Sequence, residues 1–323
     1  MQRKCLYYMP LLLVLFLFMT SCQKGTDNTI LKDDCIKRSL GPNVVGLNIE
    51  FAYAMALPQS AGKIVSAQVE ASIAGAAGTY LENKSYYTNG SGQDVGIQIG
   101  DSSVTTGTKT VETFTKDTCA ATLRYYYKIP EEARGKTVSF KFTVQGSNGE
   151  TVSYSMGPYS IAKMDMSLDI PVKDNGACYI SIADMAVYNA ADAVTHAGNI
   201  DLVYLYRSIT GISFEHALVS PAADPQYLPG ITLPSGVNRS TKISKAWGLR
   251  DQQLARLQYG IFIDDLDFQK LDLSTAPNYA INMKAQAGAW VETADGKYRA
   301  YIYVNSVSNS PAGMTISIKR YTL

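Results

Sequence analysis

The chain has 323 residues, 46% of them hydrophobic, with 29 Lys and Arg against 28 Asp and Glu. This length suits about two domains, and the hydrophobic content excludes wholesale disorder. A formal net charge of +1 argues against a nucleic-acid-binding protein, because such a surface needs a basic stripe to displace counterions from phosphates. The 22 Tyr and 25 Gly, beside 2 Trp and 2 His, are typical of β-structure.

The first twenty-two residues have the pattern of a secretory signal. Two basic residues precede an apolar run at 11–18, which is shorter than the roughly 20 residues that a membrane-spanning helix needs. The run is followed by Ser21 and Cys22, a small residue and a cysteine that resemble a bacterial lipobox. We therefore predict a lipoprotein signal peptide at 1–21 and lipidation of Cys22, with an ordinary secretory signal as the alternative.

A lipid on Cys22 predicts an outer-membrane lipoprotein of the cell envelope, and the sequence leaves the periplasmic side and the cell surface both open. Residues 22–45 are polar and show no apolar period, so we predict a flexible tether between lipid and body. Cys35, Cys119 and Cys178 lack the spacing of a zinc site, and both free thiols and one disulfide stay open for them.

Alternation of apolar and polar residues begins at Leu47 and predicts a series of short strands. The clearest pair is a hairpin around the turn 146–149, where Gly and Asn tolerate positive φ. No long helix interrupts the series, which favours a β-sandwich at 46–165. The alternating segments are 47–55, 65–71, 123–129, 138–144 and 152–156.

The second half, 166–323, is predicted to be another β-rich domain, decorated by two short helices. Asn189 could cap a helix at 190–197, and Gly260 could end a helix at 251–259. The apolar segments that read as strands are 200–206, 298–304 and 314–318. The predicted fold class is therefore mainly β.

Catalytic motifs are scarce. The chain has only His196 and His216 as candidate bases and no G-x-S-x-G elbow, so a serine hydrolase is not predicted. Both histidines are expected in structural roles. Phosphate-binding glycine loops are absent as well. A pair of catalytic carboxylates stays open, because their separation is a three-dimensional quantity.

The acidic run Asp264, Asp265 and Asp267 is the best candidate for a metal site. Calcium takes six to eight oxygen ligands, and carboxylates on one loop could supply several of them. The spacing does not match an EF-hand loop, so a solvated loop after the apolar segment 260–263 is the alternative. No other cofactor is predicted.

Aromatic residues of the second half could stack on sugar rings. Tyr301 and Tyr303 alternate with Ala300, Ile302 and Val304, so they are predicted to form an exposed pair on the opposite face of one strand. The ordinary alternative is that these tyrosines simply pack on a half-buried strand. The full predicted glycan-contact set is Trp247, Trp290, Arg299, Tyr301 and Tyr303.

Several strings resemble a known but uncharacterised family. The run 125–140 looks like the late strands of immunoglobulin-like modules in Bacteroidetes lipoproteins. The strings 179–182, 199–204, 218–221 and 295–298 look like lipoproteins of gut Bacteroidetes that are grouped as a domain-of-unknown-function family. The resemblance implies an envelope lipoprotein whose first domain is an immunoglobulin-like β-sandwich, and it carries no catalytic residue over.

These observations predict a lipid-anchored envelope lipoprotein that acts as a non-catalytic binding or adhesion module. The expected partners are the membrane, through Cys22, and a glycan or an envelope protein, with no nucleic acid. Two alternatives stay open: a hydrolase attached to the envelope that acts on polysaccharide, and a structural envelope protein. A pocket lined by aromatic residues or by carboxylates would separate them.

Overall fold

A computed structural model describes residues 30–323 of the chain. This part is mainly β, with twenty-one strands and three short α-helices, which confirms the predicted fold class. The strands form two antiparallel sandwiches in succession. No helix in the described part is long and apolar enough to span a membrane. The predicted signal peptide at 1–21 and its Cys22 lie outside the described residues.

The strands of the first sandwich are β1 (Lys32–Lys37), β2 (Asn48–Ala56), β3 (Ile64–Ala71), β4 (Tyr80–Leu81), β5 (Lys84–Thr88), β6 (Asp94–Gln98), β7 (Val104–Thr106), β8 (Lys109–Thr113), β9 (Ala120–Lys128), β10 (Thr137–Gly146) and β11 (Thr151–Ser160). One sheet has the order β1-β2-β9-β4 and the other β11-β10-β3-β8-β7, while β5 and β6 form a separate hairpin. Between the sheets, Phe51, Phe140 and Phe142 make edge-to-face and tilted contacts. The predicted hairpin is confirmed as β10 paired with β11.

Strand β1 corrects the predicted tether at 22–45. The chain pairs with β2 along Lys32–Lys37, so the prediction of a flexible tether is wrong for this part. Only Leu31 and Cys35 are buried here, because β1 is an edge strand and its other side chains contact water. Its hydropathy therefore shows no apolar period, although its backbone pairs with a neighbour. Residues 22–29 lie outside the described part.

The strands of the second sandwich are β12 (Asp165–Lys173), β13 (Tyr179–Ser181), β14 (Ala186–Tyr188), β15 (Ile200–Ile209), β16 (Ile212–Val219), β17 (Lys242–Ala246), β18 (Tyr279–Met283), β19 (Gly288–Glu292), β20 (Tyr298–Asn309) and β21 (Ala312–Thr322). One sheet has the order β12-β21-β20-β19-β17 and the other β14-β13-β15-β16-β18. Residues of both sheets form one apolar core, to which β20 contributes Ala300, Ile302 and Val304. The inward face that alternation predicted for this strand is confirmed.

The helices are α1 (Ala190–Thr195), α2 (Gln252–Ala255) and α3 (Asp265–Lys270). Asn189 caps α1 as predicted, because its side chain accepts hydrogen bonds from two backbone NH groups at 2.9 and 3.0 Å. The predicted helix at 251–259 is wrong beyond Ala255, since Arg256 adopts a left-handed backbone with φ 52° and ends α2 there. Helix α3 has no counterpart among the predicted elements.

A third buried cluster lies on the outer face of the sheet that contains β20. It contains Tyr301 and Tyr303 from β20 and Phe268 from α3. Val44, which precedes β2, and Met164, which follows β11, belong to the same cluster. The two sandwiches therefore share apolar contacts where they meet, and that sheet is covered on both faces.

A buried ion pair holds the segment around α2 and α3 onto this face. Lys319 of β21 and Asp251 are both fully buried, with Nζ 2.6 Å from Oδ2. The Lys319 ammonium also donates to the carbonyl of Ile263 at 2.8 Å. The Asp251 carboxylate accepts from the backbone NH groups of Leu254 at 2.9 Å and Ile263 at 2.7 Å. Burial lowers the pKa of Lys319, and the Asp251 charge opposes that shift.

We expect Lys319→Met to lower the free energy of unfolding of the second sandwich by about 3–5 kcal/mol, because it leaves Asp251 buried without a counter-charge. Urea denaturation followed by tyrosine and tryptophan fluorescence measures this loss. Lys297→Met is the matched control, since the Lys297 side chain is exposed and pairs loosely with Asp295 at 3.8 Å. It should change the stability by less than about 1 kcal/mol. Equal losses in the two variants would contradict the role given to Lys319.

Candidate functional site

The predicted aromatic pair is not exposed. Tyr301 is 0% and Tyr303 3% exposed, so the prediction that they form an accessible glycan-contact pair is wrong. The Tyr301 hydroxyl donates to the carbonyl of Leu249 at 2.7 Å, and its ring lies 4.7 Å from that of Trp290. The physical reason is that the segment carrying α2 and α3 covers the outer face of β20.

The other predicted contact residues do not form an open surface with this pair. Trp290 is partly buried, edge-to-face with Phe268 at 5.5 Å. The Arg299 guanidinium donates to Glu292 at 3.0 Å and to the carbonyl of Phe268 at 2.6 Å. Only Trp247 of the five is well exposed, at 59%. The predicted set is therefore mainly part of the cluster between the sandwiches.

The acidic run begins helix α3 and is not a loop. Asp264 accepts from the NH groups of Leu266 and Asp267, and Asp267 accepts from the NH of Asp264, which makes a capping box. Asp265 accepts from the NH of Lys163 at 2.8 Å, across the junction between the sandwiches. Within residues 30–323, no three His, Cys, Asp or Glu side chains are grouped so that they could hold a metal ion. The structure thus gives these carboxylates a capping and docking role.

The histidines pack in structural positions. His216 is buried, with Nδ1 2.8 Å from the Tyr204 hydroxyl and Nε2 2.9 Å from Asn309 Oδ1. Burial lowers its pKa, which favours the neutral ring, and both ring nitrogens have a hydrogen-bond partner. His196 stacks on Tyr188 with the ring centroids 4.1 Å apart. The three cysteines of the described part, Cys35, Cys119 and Cys178, are free thiols.

An open groove lies on the outer face of the first sheet, and we name it the alanine groove. The strand register places Ala54 of β2 between Asp34 of β1 and Thr122 of β9. In the next row, Ala56 lies between Lys32 and Ala120. Methyl groups rise little above the backbone, so the floor stays flat and open. The groove has a volume of about 420 Å³, within the range of small-molecule sites.

The two walls of the alanine groove differ in chemistry. Lys32 and Asp34 form one wall on the edge strand β1, and neither has an ion-pair partner within the described residues. Ser85 and Tyr87 of β5 form the other. Ser85 Oγ accepts from the NH of Thr122 at 3.1 Å, which ties β5 to β9. Tyr87 is two residues further along, so it points to the same side, and it is 51% exposed.

The β5–β6 hairpin is held in place by Tyr86. The Arg124 guanidinium lies 3.7 Å from the centroid of the Tyr86 ring and forms an ion pair with Asp94 of β6. On the hairpin, Tyr86 lies opposite Gly96, whose missing side chain leaves room for the ring. A hydrogen bond to Glu82 raises the pKa of Tyr86 to about 12. Tyr86 therefore positions the wall, and Tyr87 is free to contact a ligand.

The alanine groove combines an exposed aromatic ring, hydroxyls and one exposed carboxylate above an apolar floor. This carboxylate belongs to Asp34, whose Oδ1 also accepts from the NH of Cys35 at 2.8 Å. This combination suits a ligand with one apolar face and a polar edge. Asp33 does not add a second carboxylate, because its Oδ2 accepts from the buried Tyr53 hydroxyl at 2.9 Å. The sequence carries a signal for this site that the prediction missed. Alanines at 52, 54 and 56 alternate with core residues, which indicates a bare outer face.

Comparisons with known proteins place both halves in families of unknown function. The model of the domain of unknown function DUF4466 matches residues 28–161, and that of DUF8576 matches 162–323. A crystal structure of a DUF4466 family protein from Parabacteroides merdae ATCC 43184 is 51% identical, with a TM-score of 0.85. The match covers 91% of this chain and 99% of that chain. The chain belongs to the DUF4466 family, which confirms the predicted membership of an uncharacterised family.

Other solved structures are distant. BcpA, the major pilin subunit of Bacillus cereus, is 8% identical with a TM-score of 0.29, over 89% of this chain and 66% of that chain. A C-terminal fragment of a major pilin of Streptococcus agalactiae is 11% identical with a TM-score of 0.29, over 56% of this chain and 74% of that chain. Likenesses of this size carry no argument about function. No curated protein matches the chain.

A buried carboxylate lies behind the β5–β6 hairpin. Glu112 of β8 is fully buried, and neither of its carboxylate oxygens has a hydrogen-bond partner. It packs against Gly100, two residues after β6, where an added Cβ would collide with Oε1 of Glu112. Burial and the nearby charge of Asp101 raise the pKa of Glu112 to about 7. The folded protein therefore favours the neutral acid.

We expect Glu112→Gln to stabilise the first sandwich by about 1–3 kcal/mol at about pH 8, where the native carboxylate would be charged and buried. A raised native pKa means that the native chain loses stability as pH rises from the ordinary value of 4.5 to about 7. The difference in the free energy of unfolding between Glu112→Gln and the native chain should therefore shrink towards about pH 5. Urea unfolding at both pH values measures it. Glu70→Gln, at an exposed position on β3, should show no such change with pH.

Proposed function

We propose that this chain is a lipid-anchored, non-catalytic binding protein of the cell envelope, and that it holds a glycan in the alanine groove. The observation that carries the proposal is the bare floor of Ala54, Ala56 and Ala120 beside the exposed Tyr87. On the opposite face of the same strands, large side chains such as Phe51, Tyr53 and Leu123 point into the core.

Carbohydrate chemistry fits the groove. The C–H face of a pyranose ring packs on an aromatic ring, and Tyr87 offers such a face. The hydroxyls at the rim of the sugar need hydrogen-bond partners, which Asp34, Lys32 and Ser85 supply around the floor. A flat floor and one aromatic wall favour a chain of sugar rings that lies along the sheet.

The same geometry favours binding over hydrolysis in this groove. Glycosidases use two carboxyl groups that flank the scissile bond. Asp34 is exposed, while Asp33 beside it is bonded to Tyr53. Burial raises the pKa of Asp33, and the Tyr53 hydrogen bond opposes that shift. One accessible carboxylate can orient a sugar hydroxyl but cannot act as an acid and base pair.

The expected lipid anchor supports a role close to the membrane. Lys32 on the groove wall is ten positions after Cys22, a distance of at most about 36 Å when the chain is fully extended. The first strand of the described residues, β1, is also the strand that borders the groove. A ligand held there would stay within reach of the envelope surface that carries the anchor.

We expect Tyr87→Ala to weaken glycan binding by about 3- to 10-fold, the range of one lost aromatic contact. A glycan array selects the ligand, and isothermal titration calorimetry measures the affinity. Tyr87→Phe should keep most of the affinity, since it retains the ring. Tyr259→Ala is the matched control, an exposed tyrosine of the second sandwich. No glycan binding, or equal losses for Tyr87→Ala and Tyr259→Ala, would reject the groove as a glycan site.

We expect Cys22→Ala to abolish incorporation of an alkyne-labelled fatty acid in cells that express the chain, because the Cys22 thiol would form the thioether to the diacylglycerol that carries the fatty acids. On cell fractionation, the variant should also be found in the soluble fraction instead of the membrane fraction. Cys119→Ala is the control and should keep the label, since Cys119 lies in the folded body. Labelling that survives Cys22→Ala would place the lipid elsewhere or show that no lipoprotein signal operates.

A further inference from the structure

Several exposed apolar side chains of neighbouring loops lie at the junction of the two sandwiches, and we name them the junction patch. Its members are Leu40, Trp247, Leu257, Tyr259 and Ile261. Tyr259 is 78% exposed, in the loop between α2 and α3. None of these five lines the alanine groove, so the patch is a separate surface.

Backbone contacts bring the patch together. The NH of Ile261 donates to the carbonyl of Arg250 at 3.0 Å, and the NH of Gln252 donates to the carbonyl of Ile261 at 2.8 Å. These bonds form a parallel bridge between Asp251 and Ile261, so residues 250–252, which follow Trp247 closely, lie beside residues 260–261, which follow Tyr259. Asp251 is also the buried partner of Lys319. The patch therefore rests on a rigid support.

The first sandwich adds Leu40 to the patch. Gly41, the next residue, packs against the ring of Phe262, which follows Ile261. Gln253 of α2 donates to the carbonyl of Pro42 at 3.0 Å. Leu40 thus lies at the seam between the sandwiches, close to the loop of the second one.

Basic groups surround the tryptophan of the patch. The Lys245 ammonium lies 4.1 Å from the centroid of Trp247. Burial lowers the pKa of Lys245, and the charge of Lys284 lowers it further. Arg250 donates to Gln286. Two carboxylates lie near these basic groups. The charge of Glu215 raises the pKa of Lys245, against the effect of burial, and Asp169 forms an ion pair with Arg256. Lys245, Lys284 and Arg250 outnumber Glu215 here, so the Trp247 side of the patch is positive. Arg256 and Asp169 neutralise one another, and the acidic residues Asp264, Asp265 and Asp267 lie beyond Ile261 on the other side.

We propose that the junction patch docks on the surface of the membrane that carries the Cys22 lipid, with Trp247 and Tyr259 in the headgroup region. Tryptophan and tyrosine favour this region because one end of each ring system is apolar and the other polar. Lys and Arg beside them attract anionic headgroups. The inference rests on the proposed anchor, since a tether from Cys22 to Ile30 keeps the body near the bilayer and raises the effective concentration of membrane at the patch.

Tryptophan fluorescence in vesicles tests the proposal, because the chain has only Trp247 and Trp290. The acylated full chain is reconstituted into vesicles of phosphatidylcholine, with or without phosphatidylglycerol. In both kinds of vesicle, the phosphatidylcholine has brominated acyl chains, which quench nearby tryptophan. In Trp290→Phe, we expect about twofold or greater quenching of Trp247, larger with the anionic lipid. In Trp247→Phe, the partly buried Trp290 should not be quenched.

Variants of the junction patch distinguish a membrane surface from a second copy of the chain as the partner that covers it. In the Trp290→Phe background, Leu40→Ser with Tyr259→Ser should reduce the quenching of Trp247, whereas Ile212→Ser, at another exposed apolar residue, should leave it unchanged. Flotation with vesicles but no quenching would overturn membrane docking and leave the anchor intact. Concentration-dependent dimerisation that the patch variant abolishes, without quenching, would assign the patch to a second copy and overturn the proposal. Absence of flotation would overturn the anchor and the docking that depends on it.

Discussion

The buried pair of Lys319 and Asp251 determines how the second half of the molecule is assembled. An ammonium and a carboxylate lose several kcal/mol of hydration when they are buried, and only close contact and further hydrogen bonds offset that loss. Both conditions hold here, since the pair is 2.6 Å apart and each partner has backbone contacts. The segment carrying α2 and α3 cannot leave β21 without separating these charges. The burial of Tyr301, the contact with the first sandwich and the position of the junction patch all depend on it.

The outer faces of the two sandwiches differ in the size of their side chains and in whether chain covers them. On the second sandwich, the large rings of Tyr301 and Tyr303 project from β20, and a segment of chain covers them. On the first, Ala54 and Ala56 project from β2, and no segment of the described residues fills the space above them. Large aromatic side chains attract a covering layer because burying them is favourable, whereas methyl groups offer little area to bury. In this protein the face with small residues is therefore the accessible one.

Much of the fold could be predicted from local pattern. Alternation located the inward faces of β2, β10 and β20, and Asn189 identified the start of α1. The prediction failed where the partner of a segment is distant in sequence. Cys35 lies in an edge strand whose exposed residues hide the apolar period. Helix α3 begins at aspartates that also suit a metal loop, and its capping box becomes visible only with the backbone in place.

The sequence by itself determined the mainly β fold class, the division into two β-rich halves and the membership of an uncharacterised family, because period-2 alternation and turn residues act over a few neighbouring positions. The tertiary structure decided which outward faces meet water. That choice depends on contacts between residues far apart in the chain, such as Asp251 with Lys319 and Ala54 with Thr122. The same alternation is compatible with a covered face or an open one, so the tyrosines of β20 are buried while Tyr87 and the alanines beside it form the candidate site.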